Sequence, residues 1–276
     1  MALSFAFAAA MSTALGMFLT KSVTQRLPGF QTVGVLFIYN AVVAAPVFIL
    51  KPTWSHLRIV DCLRLFVGGT TTALGAWLIF LIVSRSLASA AAIGQSLSPA
   101  AMLVISAYFL HSRATLAQTL LVILIVAAAL YPLRNAVEGI SSLNTVLLIG
   151  LIGITGGVNT AIISQHLKAH LGLVQIIVIQ QIVAGLWFLI FYRPKGFTLR
   201  DHLSLSRRSV FMGGAWIFTS YALTHGSPVL VQSVTATVPI LTLGLETIAY
   251  RRSPSAGVMI SAVVAGAGIC VLALMY

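Results

Sequence analysis

The chain is 276 residues long, 59% apolar and only 7% charged, with a mean hydropathy of +1.04. A soluble domain carries about 25% charged residues, so this composition excludes a water-soluble enzyme, a disordered chain, a collagen-like rod and a coiled coil; the bilayer is the solvent that suits it. The net charge of +12 arises from 16 Lys and Arg against only four Asp and Glu. Those cations are scattered between apolar runs, where they meet lipid headgroups, and nucleic acid is not a partner. Two cysteines, Cys62 and Cys270, form no disulfide framework.

A membrane-spanning helix needs about 20 mostly apolar residues. Ten segments meet that need: Leu3–Thr20, Gln31–Leu50, Leu63–Val83, Ala88–Leu110, Leu116–Leu133, Thr145–Ser164, Leu173–Tyr192, Val210–Thr224, Val229–Tyr250 and Ala256–Met275. Lys51-Pro52, the Arg193-to-Gly196 turn and the Arg251-to-Pro254 turn mark breaks between them. The longest connection, Arg193–Ser209, mixes cations with Phe197, Leu199, Leu203 and Leu205, and is expected to lie along the interface as a short amphipathic turn. No loop can fold as a domain, so function is expected inside the membrane. Nothing matches metal-ligand spacing, a nucleophile elbow or a phosphate-cradling glycine loop, so neither an enzyme nor a cofactor is expected.

The chain repeats itself. Gly75-Ala76-Trp77-Leu78-Ile79 returns as Gly214-Ala215-Trp216-Ile217-Phe218, a shift of 139, and Ser98-Pro99 returns as Val238-Pro239, a shift of 140. Leu27-Pro28-Gly29-Phe30-Gln31 matches Leu171-Gly172-Leu173-Val174-Gln175 at a shift of 144. Two five-span halves, 1–134 and 135–276, follow, joined near Arg134–Asn144. Five is odd, so the second half enters the membrane upside down, and inverted repeats of this kind characterise secondary transporters with a midplane site between the halves.

On these features the chain resembles the EamA-type transporters of the drug/metabolite transporter (DMT) superfamily. The resemblance rests on the run from Ser86 to Leu133, with Ser98-Pro99 inside the fourth span and a polar turn at His111-Ser112-Arg113. The pattern returns from Gly226 to Leu274, with Pro239, the Arg251-Arg252-Ser253 turn and Gly266-Ala267-Gly268. Where members often carry a Glu after the fourth and ninth spans, this chain has Ser112 and Arg252, and it lacks a Trp-Gly pair in the first span. The resemblance implies an all-α ten-helix bundle in a bacterial inner (plasma) membrane. Its cavity would be lined by spans one to four and six to nine, with five and ten outside. It also implies both termini in the cytoplasm. The basic residues argue the reverse, with eleven on the odd-numbered connections against five on the even-numbered ones; the family expectation is preferred.

The polar residues inside the spans supply the candidate site. Pro99 and Pro239 each remove a helix hydrogen bond and free the carbonyl four residues earlier, at Gln95 and Thr235, which makes them a paired hinge. Gln232, Thr235, Pro239, Thr242 and Glu246 are spaced 3, 4, 3 and 4, one stripe of the ninth span that should face a polar interior. Glu246, the one acid well inside a span, could bind a cationic amine or exchange a proton; alternatively it snorkels to Arg251 and Arg252. Asn40, Asn159 and Gln180 are amides able to bind solute or another helix. Trp77, Trp187, Trp216 and Tyr221 offer aromatic surface to an amphiphile or cation. The ladders Gly153/Gly157 and Ala262/Gly266/Cys270 are packing devices, with the chain a monomer or homodimer.

The expected function is a secondary active exporter of a small organic metabolite, amino acids or related amines first, working by alternating access with possible proton coupling. The other readings are a multidrug or lipid-linked substrate transporter and a non-transporting membrane scaffold.

Overall fold

The computed structural model describes residues 1–24, 27, 29–50, 56–83, 94–109, 115–131, 143–168, 171–194, 196–249, 251 and 256–275. Trp54, Lys51-Pro52, the His111-Ser112-Arg113 and Arg252-Ser253-Pro254 turns, and most of the Arg134–Asn144 joint lie outside them. The described residues form eleven helices: α1 Ala2–Thr24, α2 Gly29–Leu50, α3 Ile59–Val83, α4 Ser98–Phe109, α5 Leu116–Leu130, α6 Leu143–Lys168, α7 Leu173–Phe191, α8 Leu199–His225, α9 Pro228–Thr235, α10 Val238–Ala249 and α11 Ala256–Leu274. Together α9 and α10 make the ninth span, so the chain is a ten-span all-α bundle. Six of these spans are long and apolar enough to cross a bilayer by length and composition alone. Large apolar side chains such as Val104, Ile190 and Val263 are exposed on the outside, as a lipid-facing surface requires and a water-facing one forbids.

Local chemistry sets several helix starts. At α5, Thr115 accepts from the Gln118 N–H while the Gln118 side chain accepts from the Thr115 N–H; at α8, Thr198 and Asp201 form the same reciprocal box. At α9, the Ser227 hydroxyl accepts from Leu230 N–H at 3.1 Å, with Pro228 in the first helical position. The box at α8 overturns one expectation. Leu199–Ser209 is no interfacial turn but the first three turns of the eighth span, which runs 27 residues to His225. A reciprocal cap satisfies the orphan N–H groups of the first turn, and the helix continues into the bundle.

The packing is two-fold. Span one packs on eight as six packs on three; four packs on six as nine packs on one; three packs on seven as eight packs on two; two with seven, and five with ten, pair across the axis. Each relation maps onto its partner when one half is exchanged for the other. Because the five-span halves run in opposite senses, that axis lies in the membrane plane, and the repeats are inverted. Spans five and ten lie outside, packed on each other: a Cβ added at Gly268 would meet Ile125 Cγ1 at 2.8 Å.

The fourth and ninth spans break at matching places. Leu97 is a turn before α4, and its N–H reaches back only to the Gly94 carbonyl. Ala236–Thr237 is the turn between α9 and α10, with Thr237 N–H on the Val234 carbonyl at 3.0 Å. Pro99 and Pro239 are each the second residue of the helix after the break, where a missing N–H costs nothing. The two breaks touch: Ser96 Oγ donates to the Ala236 carbonyl at 3.1 Å, and these residues are 140 apart, the shift of the prolines themselves.

Of the two small-residue ladders, Gly153/Gly157 is an interface, set against Leu97 and Ala101. The other is not. Gly266 has nothing within 4 Å of a would-be Cβ and Cys270 is exposed; Gly268, two residues along and on another face, makes the approach instead.

Candidate functional site

Inside the bundle lies a two-lobed cavity. One lobe is walled by α1, α2, α3, α6 and α8; the other by α1, α4, α6, α8 and α9. They share Gln95, Gly156, Asn159, Met212 and Trp216, so they adjoin, and the shared wall lies beside the helix breaks. Span seven supplies none of the lining residues. It stands behind α2, and its Gln181 Oε1 accepts from Asn40 Nδ2 at 3.1 Å, supporting the wall without forming it.

Six of the expected site residues line this cavity: Asn40 in the first lobe, Gln232 and Thr235 in the second, and Gln95, Asn159 and Trp216 in both. Two amide oxygens are left over. Asn40 Oδ1 and Asn159 Oδ1 are buried with no hydrogen-bond partner. An orphaned buried acceptor costs about 1–3 kcal/mol, a cost that a donor admitted between these helices would relieve. Gln232 is different: its Nε2 donates to Thr160 Oγ1, and its Oε1 accepts from Thr235 Oγ1 at 2.9 Å, which locks α9 to α6.

The other five sit elsewhere. Trp77 and Trp187 border an aromatic groove between α3 and α7 with Thr70, Phe188 and Phe191; Trp187 Nε1 donates to Thr70 Oγ1 at 3.0 Å and its ring stacks on Phe191. Gln180 is buried between the same two helices, against Gly68, with both polar atoms unpartnered. Tyr221 stacks on Phe5 with ring centroids 5.5 Å apart. Glu246 lies deep in α10, 4% exposed, and neither carboxylate oxygen has a hydrogen-bond partner; Arg251 does not reach it.

The displacement of Trp77 has a geometric cause. Thr72, Gly75, Ala76 and Ile79 of α3 line the cavity, and so do Met212, Ala215, Trp216 and Thr219 of α8, a shift of 140 throughout. The Gly-Ala-Trp match runs at 139. One residue turns a helix by about 100°, so the cavity-facing equivalent of Trp216 is Ala76, and Trp77 turns towards α7. Gln180 and Trp187 lie on one helical stripe, but that stripe faces α3.

Arg208 was missed by sequence reasoning, which left it among the loop cations. It is 5% exposed in α8, lines the first lobe, donates from Nε to Thr20 Oγ1 at 2.7 Å, and stands over the Phe80 ring with Cζ 5.4 Å from the centroid. The repeat held the signal. Adding 140 to the Ile59–Val83 bounds of α3 gives 199–223, nearly the observed α8.

A two-fold inverted bundle with broken fourth and ninth helices around a hollow that holds a few polar side chains in an apolar wall is the architecture of a membrane transporter. The EamA-like transporter family model matches residues 1–133 and 143–274, and the chain belongs to that family, within the DMT superfamily. No curated protein matches it. Among solved structures, one described as "Crystal structure of protein" superimposes with a TM-score of 0.79 at 16% identity, covering 99% of this chain and 96% of that one; the likeness is one of fold.

Proposed function

We propose that this protein is a secondary transporter that moves a small amphiphilic organic metabolite, an amino acid or a close relative, outward through the central cavity. The halves rock about the breaks before Pro99 and Pro239. The observation that supports this best is the shared wall of the two lobes, where Asn159 offers an unpartnered acceptor beside Trp216: a polar contact next to apolar surface, as an amphiphile needs. A secondary transporter of this kind draws on a solute or ion gradient. Efflux of labelled amino acids from proteoliposomes tests the reading. Asn159→Leu, which replaces the acceptor with an apolar side chain of the same branching, is expected to lower flux at least tenfold; a wild type that moves no amino acid overturns the reading, and one that moves no solute of any class supports the scaffold. We further place both termini in the cytoplasm of a bacterial plasma membrane, and a fluorescent C-terminal fusion that stays dark there would reverse that orientation.

Glu246 is the proposed proton site. The helices packed on α10 are α1, α5 and α11, and the buried carboxylate has no hydrogen-bond partner on either oxygen, which leaves an acid inside a span open to a functional role. In the same vesicles, Glu246→Gln is expected to abolish the response of efflux to an imposed pH gradient while leaving downhill exchange within about twofold of wild type. A gradient response that survives the substitution removes Glu246 from coupling.

A further inference from the structure

The charge lining the cavity is positive. Among the described residues Arg208 is the one charged side chain in either lobe, and no Asp or Glu lines them. From this we infer that the transported solute carries a carboxylate, held by Arg208, and that amines lacking one are not carried; the inference rests on the cavity being the transport site.

Arg208 is positioned to act on a ligand. Thr20 Oγ1 donates to the Gly16 carbonyl at 2.7 Å and accepts from Arg208 Nε at 2.7 Å, while the Phe80 ring backs the guanidinium. One edge of the fork is thereby fixed. The two terminal nitrogens have no hydrogen-bond partner among the described residues, although the side chain is 95% enclosed with a relative exposure of 5%. A guanidinium always keeps its charge and presents paired donors at the spacing of carboxylate oxygens. Buried without an anion it is an uncompensated charge; a monoanionic group both neutralises it and fits its geometry.

The same lobe holds the complement. Asn40 is 2% exposed, its Nδ2 is engaged by Gln181, and its Oδ1 is left as an acceptor; Asn159 Oδ1 is likewise free. A fixed cation and two orphan acceptors in one chamber suit a group bearing both a carboxylate and an N–H donor. The remaining wall, Phe37, Ile79, Phe80 and Met212, takes an apolar side chain. Met212 and Trp216 follow Arg208 by about one and two turns of α8 and line the same lobe; Arg208 precedes the midpoint of α8 by about 6 Å at 1.5 Å per residue.

The test is equilibrium binding to the purified full chain, read by ligand-induced shift of the melting midpoint and by Trp fluorescence. The probes are phenylalanine, 3-phenylpropionate, phenethylamine and chloride. Phenylalanine and 3-phenylpropionate are expected to bind and to compete with each other, phenethylamine not to compete, and chloride to compete at least tenfold more weakly. Arg208→Gln is expected to lose at least tenfold in affinity for both carboxylates, and Arg208→Lys to recover part of it. Thr20→Val, which removes the tether and keeps the charge, should lose less than Arg208→Gln, which guards against reading a folding defect as a binding one. Phenethylamine binding as tightly as phenylalanine overturns the assignment, as does chloride competing equally, or no binding of any carboxylate to the wild type. Solute efflux that shows no preference for carboxylates would sink this inference and leave the transporter reading intact.

Discussion

Gly153→Leu is expected to destabilise the protein by about 3 kcal/mol or to prevent its assembly, the upper end of what overpacking costs. A Cβ at Gly153 would stand 2.6 Å from Leu97 Cβ and 3.1 Å from the Gly94 carbonyl oxygen. Neither neighbour is the far end of a flexible chain, so the backbones of α6 and the fourth span must part. Close approach of small residues is the main source of helix association in lipid, where no hydrophobic drive between helices exists. The damage would fall at Leu97, the turn that begins the fourth-span break. Gly150→Leu on the same helix is the control. Nothing lies within 4 Å of a Cβ there, and exchanging Gly for a good helix former contributes up to about 1 kcal/mol of helix propensity. Melting midpoints of the two variants in one detergent should therefore move in opposite directions, with Gly153→Leu lower by many degrees. Equal midpoints would mean that α6 and the fourth span are not held by this contact.

Much of this architecture is legible in the amino-acid order because the bilayer imposes so narrow a choice. Ten apolar runs, an odd number per repeat and paired prolines are enough to require an inverted bundle. What is illegible is rotation. Periodicity puts Gln180 and Trp187 on one stripe of α7, but cannot say whether that stripe faces a cavity or a neighbouring helix, since both accept amides and aromatics. Trp77 shows how little separates the outcomes: a one-residue difference between the motif match and the structural register moves it from the chamber to a groove.

The ninth-span stripe shows a related limit. All five of its residues turn inward, Thr242 and Glu246 fully so, but the cavity ends beside α9, so only Gln232 and Thr235 reach it. Arg208 was hidden for another reason. Hydropathy reads a cation as the edge of a span, whereas the cap at Thr198 and the repeat both extend the helix beyond it. The electrostatics of the chamber thus rest on a residue that composition assigns to water, and the acid that composition assigns to the chamber lies outside it.

Replacing both prolines, Pro99→Ala with Pro239→Ala, is expected to cut transport at least tenfold while leaving stability equal or higher. Alanine supplies an N–H at the second residue of α4 and of α10, which a continuous helix would pair with the Gln95 and Thr235 carbonyls four residues back. The gain of two helix hydrogen bonds and the loss of two turns would join the segments before and after each break into continuous helices. Straightening either span draws the Leu97 and Ala236–Thr237 turns apart, and the Ser96–Ala236 contact at 3.1 Å bridges those turns. That contact is the point where the halves meet on their axis, so any rocking of one half on the other must pivot close to it. Ser96→Ala separates the two contributions: it removes the bridge and keeps both breaks, and should slow efflux only about threefold. Each single proline variant should retain more flux than the pair, because one broken helix still lets the halves tilt. Efflux from vesicles measured for the four variants, with binding of the solute measured alongside, decides the matter. Undiminished flux in the double variant, with binding intact, would show that the breaks shape the cavity wall and do not move.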